Sequence, residues 1–216
     1  MNVPLSDIGR LKVSACLPLG TKAQLDALQP FFASERKRAQ QLGMTGTTGF
    51  TALELAARVY QWREKKAAMH RQGLLVDSKR ALVTGGLVQV ITERGWDRHW
   101  PDIPAHRRGR WPGVPTSGPW PESHSIEVPA DLVRIVAVAC WHTSAEAIEL
   151  LYKWRERYPE AIPSKPSRSA CSAEAIEECQ RLSAKITTKG DIWRAAYAAG
   201  IRNALERQRA QELSKR

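Results

Sequence analysis

Between Gly95 and Pro121 the chain reads GWDRHWPDIPAHRRGRWPGVPTSGPWP, with six prolines and four tryptophans. Proline fixes φ and removes a backbone donor, so neither a helix nor a central strand runs through such a stretch. It carries no hydrophobic period and reads as a linker or an extended arm. Regular structure must lie before it or after it. A second break, IPSKPSRS from Ile162 to Ser169, divides the remainder of the chain. The expected organisation is a helical region over 1–95 with a basic strand at 10–17, a Pro/Trp-rich basic linker over 96–121, a compact unit over 122–160 and a helical pair over 161–216.

Within these limits the periodicity predicts a mostly α protein, a helical bundle with one or two short strands. Arg10 to Leu17 alternates: Leu11, Val13, Ala15 and Leu17 on one face, Arg10, Lys12, Ser14 and Cys16 on the other. A helix from about Thr21 to Leu42 follows, kinked or interrupted at Pro30. GMTGTTG is a turn, and further helices are predicted over Thr51–Gln72 and Asp77–Glu93. After the arm comes a short strand, Ser125 to Val128, stopped by Pro129 at the first position of a helix. That helix is expected to end near Trp141-His142, with Thr143 or Ser144 capping a second one that Pro159 closes. Ser172–Lys185 and Thr188–Glu212 complete the set.

Two pentapeptides nearly coincide: YQWRE at Tyr60–Glu64 and YKWRE at Tyr152–Glu156. Each stands nine residues after the threonine of a Thr-x-x-Glu pair, Thr51/Glu54 and Thr143/Glu146. A looser third copy is Thr188/Asp191 ahead of Tyr197. Thr-x-x-Glu is a capping box, in which hydroxyl and carboxylate satisfy first-turn amides reciprocally. Each copy is therefore expected to be a capped amphipathic helix with a buried aromatic seam. Chance similarity between capped helices accounts for the match more readily than true duplication does.

Charge narrows the partner. Lys plus Arg number 33 against 22 Asp plus Glu, a formal net charge of +11. This excess favours a polyanionic partner. At 43% hydrophobic the chain can bury a core. No apolar run approaches the ~18 residues that cross a bilayer. The start MNVPLSDIGRLKV lacks a signal-peptide pattern, so a cytoplasmic location and no membrane partner are expected. Cys16, Cys140, Cys171 and Cys179 form no C-x-x-C pair, and the histidines have no ligand spacing. Neither metal nor other cofactor is expected. There is no phosphate loop, nucleophile elbow or paired-carboxylate motif, so the chain is not expected to be an enzyme.

Strand, helix, short turn and capped helix within HSIEVPADLVRIVAVACWHTSAEAIELLYKWRERYP resembles the ribbon–helix–helix fold of the Arc and MetJ class, best over 123–158. The resemblance implies a strand that pairs antiparallel with another copy, a two-stranded ribbon in the major groove, and a second helix whose amino end, here at Ser144, faces a phosphate. Glu127 is a poor groove residue. The upstream strand supplies what is missing, an outward row of Arg10, Lys12 and Ser14. The two strands could pair within one molecule or across a dimer, so a homodimer or an internal pseudo-dimer is expected. An edge strand with a solvated basic face accounts for the row equally well.

Other basic clusters are Arg36, Lys37 and Arg38, then Arg63, Lys65, Lys66 and Arg71, read as solvated faces able to touch phosphate. Arg107, Arg108 and Arg110 resemble the Arg-Gly-Arg core of an AT-hook, which lies in a narrow minor groove. The flanking prolines are missing or displaced there, and a basic linker without specific contacts is the simpler reading. Trp96, Trp100, Trp111 and Trp120 could stack on bases, but pinning the arm to the helical body is preferred. The expected function is that of a sequence-specific or accessory DNA-binding protein, a repressor or a plasmid- or phage-type factor in transcription regulation, contacting duplex DNA through the basic strand and helix termini. The alternative is a protein-interaction or inhibitor protein that docks through aromatic helix faces.

Overall fold

The structure is a computed structural model that describes residues 9–43, 49–105, 111, 120–159 and 172–214. The two alternating segments form strands β1 (Arg10–Leu17) and β2 (Glu122–Pro129), and these pair antiparallel with each other inside one chain. Arg10 lies opposite Pro129, Lys12 opposite Glu127, Ser14 opposite Ser125 and Leu17 opposite Glu122. Side chains alternate across a strand, so this register puts Ala15, Leu17, Ile126 and Val128 together on the covered face. Proline follows β1 and ends β2, as its lost donor requires.

The described helices are α1 (Thr21–Ala27), α2 (Gln29–Gly43), α3 (Ala52–Arg71), α4 (Lys79–Glu93), α5 (Ala130–Arg157), α6 (Ala173–Ala184) and α7 (Lys189–Leu213). The expected interruption near Pro30 is present, because α1 ends at Ala27 with Leu28 as its C-cap and Pro30 sits in the first turn of α2. Gly20, at φ 87°, opens α1, and Glu122 of β2 accepts from the Gly20 and Lys22 amides at 2.7 Å each. One carboxylate thus caps a helix and ties the two strand ends together. Capping boxes form at Thr51/Glu54 and at Thr188/Asp191.

The third does not form. Helix α5 runs without interruption from Ala130 to Arg157, so the turn expected at Trp141-His142 is absent. Thr143 Oγ1 donates back to the Ala139 carbonyl at 2.8 Å, the helix-interior habit of threonine. No glycine or proline interrupts the segment, and Val136, Ala139, Cys140, Ala147, Ile148 and Leu151 keep one continuous buried stripe. Pro129 is the last residue of β2 and the N-cap of α5, one position before the expected place.

A first core joins β1, β2, α1, α2, α4, α5 and α7. It therefore draws on residues before and after the Pro/Trp-rich arm alike. Helices α4 and α7 cross with glycine on both sides: a methyl at Gly86 would meet the Ala196 carbonyl, and one at Gly200 would come within 2.6 Å of Leu82. Buried Glu35 of α2 anchors the far end of α7, accepting from Arg207, Gln211 and the Val76 amide. A second core holds Trp154, Leu151 and Ile148 of α5 against Cys179 and Leu182 of α6. The arm is pinned by its tryptophans: Trp96 is buried, Trp100 stacks on His142, Trp111 packs on Trp141, and Arg194 covers Trp120.

Candidate nucleic-acid interface

The ribbon has one covered face and one open face. On the open face stand Arg10, Lys12, Ser14 and Cys16 of β1 beside Ser123, Ser125 and Glu127 of β2, all exposed. Ser14 Oγ and Ser125 Oγ lie 2.7 Å apart across the ladder. Glu127 does not stand alone, since Arg80 of α4 reaches it at 3.4 Å. The covered face carries one polar pair: His124 Nδ1 and the Tyr197 hydroxyl of α7 are 2.6 Å apart. Burial, then the nearby Lys79 and Lys22 charges, hold the His124 ring below its ordinary 6.5, with Asp26 opposing. Which of the two donates follows from the imidazole tautomer.

At the Arg10 end the ribbon borders a cavity of about 540 Å³ between α2, α3 and the start of α4. Its lining includes Arg10, Arg36, Arg63, Lys66, Arg71 and Arg80, with Asp77 the one carboxylate among them. Asp77 receives Lys66 Nζ at 2.6 Å and has His70 Nε2 at 3.0 Å, the latter at ion-pair distance without hydrogen-bond alignment. Burial pushes its carboxyl up, but His70 and Lys66 more than offset this and hold it well below the usual carboxylate range. Arg71 is drawn to Asp131 at 2.8 Å. Arg36 donates to the Asp77 carbonyl, a neutral acceptor, at 3.2 Å. Arg10 and Arg63 have no carboxylate within ion-pair distance among the described residues.

The fold thus gathers Arg10 and Arg36 at one place and disperses other candidates. Lys12 and Ser14 stay on the open ribbon, and Lys37 is exposed away from the cavity. Arg38 turns back to Glu35 at 3.2 Å. Ser144 is buried at 2% exposure within α5, where its hydroxyl accepts from the Thr187 amide at 3.0 Å. It caps no helix and meets no solvent, so the phosphate contact expected of it is withdrawn. Arg107, Arg108 and Arg110 lie outside the described residues. Sequence reading missed Arg80, His70 and Asp77, which reach the cavity only because the chain reverses between α3 and α4.

The buried seam expected of the first pentapeptide is also absent. Helix α3 buries no residue, and Leu53 (82% exposed), Leu55, Val59 and Tyr60 face outward. The second copy reaches the core through Trp154, and the third reaches it through Tyr197. These features define a mostly helical protein with a two-stranded antiparallel ribbon and a basic recess at its end. No protein-family model, curated protein or solved structure matches the chain.

Proposed function

We propose that this protein binds duplex DNA by laying the open face of its ribbon in the major groove, acting as a sequence-specific or accessory factor. The observation that carries this reading is the pairing of β1 with β2 in one chain, with Arg10, Lys12 and Ser14 in an outward row. A two-stranded ribbon fits the groove, where arginine meets guanine edges and short hydroxyls meet either base type. In ribbon–helix–helix terms, one chain supplies both strands as an internal pseudo-dimer.

The test is anisotropy of a labelled duplex library against salt. Affinity should fall steeply as salt rises, and Arg10→Ala should relax sequence preference by about 1–3 kcal/mol at one position. Duplex should also slow alkylation of the exposed Cys16 thiol in the same row. No binding at low salt, or Cys16 labelling unchanged by bound duplex, would refute the ribbon as reader.

A second reading has its own support. The outward apolar half of α3, with Leu53, Leu55, Val59 and Tyr60, suits docking on a partner protein. Duplex-independent protection of this half by one co-purifying protein would favour it.

A further inference from the structure

We propose that the recess between α2, α3 and α4 is a binding site for a compact polyphosphate anion, adjoining the open face of the ribbon and sharing Arg10 with it. The charge lining the recess is only partly offset. Six formal cations line it and a single carboxylate, Asp77, answers them. Asp77 is already occupied by Lys66 and His70. The remaining acid partners, Asp131 for Arg71 and Glu127 for Arg80, approach from outside the lining. That leaves Arg10, Arg36 and Arg63, three guanidiniums from three different elements, on one recess with no carboxylate at ion-pair distance among the described residues. Like charges brought together in a concave site repel one another, and a bound anion relieves that repulsion.

Geometry selects the kind of anion. Guanidinium forks match phosphate oxygens bidentately, and their number suits several linked phosphates better than a single one. The volume of about 540 Å³ lies within the range of small-ligand sites. The cations face one recess from several sides, which suits a compact chain of phosphates more than the extended backbone of a duplex. Inorganic tripolyphosphate and the phosphate tail of a nucleotide share this chemistry.

Calorimetry of the full chain with tripolyphosphate, orthophosphate and ATP, without DNA, tests the site. Tripolyphosphate should bind at least about tenfold more tightly than orthophosphate, and Arg63→Ala should weaken it by about tenfold or more. Arg63 is exposed on α3, so the variant should keep the wild-type circular dichroism. Lys37→Ala removes a charge near Arg36 but outside the recess and should leave binding unchanged. ATP displacing tripolyphosphate would make the natural source a nucleotide, whereas tripolyphosphate binding alone would make it an inorganic chain. Equal losses in the Arg63 and Lys37 variants would overturn the site in favour of diffuse attraction. Silence of both polyphosphates at millimolar concentration would overturn it outright, and if Arg63→Ala then weakened duplex binding, the recess would be a backbone contact.

Discussion

Trp62 and Trp154 stand at the same place in near-identical pentapeptides, yet one is only partly buried and the other sealed. Trp154 donates its indole N–H to the Ala175 carbonyl at 2.9 Å and packs against Tyr158. Trp62 lies over Gly43 at the end of α2. Truncating Trp154 to Ala should cost about 3–5 kcal/mol in chemical denaturation, the range for emptying a core site. The same change at Trp62 should cost markedly less, and equal losses would show that both copies pack alike. His124 supplies a pH signature. Its folded-state proton affinity is lowered, so below about pH 6.5 the unfolded chain takes up a proton that the folded chain resists. Stability from the neutral ring is full above that value and is lost as pH falls through the folded one. Melting temperature should therefore drop on going from pH 7.5 to 5.5, and His124→Gln should flatten that drop. A slope unchanged in the variant would place the titration elsewhere.

At the scale of elements, the crossing of α4 and α7 depends on two adjacent glycines behaving differently. Gly86 faces α7 with no room for a methyl, whereas a methyl at Gly85 would lie 3.2 Å from the His70 carbonyl. Gly86→Ala should destabilise by about 1–3 kcal/mol or more, because backbone must move. Gly85→Ala gains up to about 1 kcal/mol of helix propensity against that tight approach, so its net effect should be small. Thermal melts of the two variants decide the matter, and similar losses would mean that the helices can separate freely. Most element boundaries were legible because caps, prolines and alternation are local signals. The break within α5 was misread because Thr143-x-x-Glu146 has the letters of a cap, while its threonine has a second option: bonding the carbonyl one turn back. The choice between the two is made by the stripe from Val136 to Leu151, which stays buried only if the helix continues.

For the molecule as a whole, the expectation of a mostly helical protein with short strands was legible, and so was the pinning of the arm by its tryptophans. The site was only half legible. The alternation of β1 marked Arg10, Lys12 and Ser14, but nothing in their spacing announced Arg63 or Arg80 as neighbours of Arg10. Those contacts arise from the α3–α4 reversal and from the ribbon register, both set by long-range packing. The ribbon itself joins Ser14 to Ser125, partners 111 positions apart. On a ribosome, β1 emerges before β2 and has no mate until the second strand clears the exit. Through that interval its edge is bare and its Leu11, Val13 and Leu17 face is uncovered, the state in which nascent chains pair with the wrong neighbour. Arg10 and Lys12 on the other face act as gatekeepers during that wait, since charge on an unpaired strand discourages such pairing. These two side chains thus answer a requirement set by the order of synthesis, before any ligand is present.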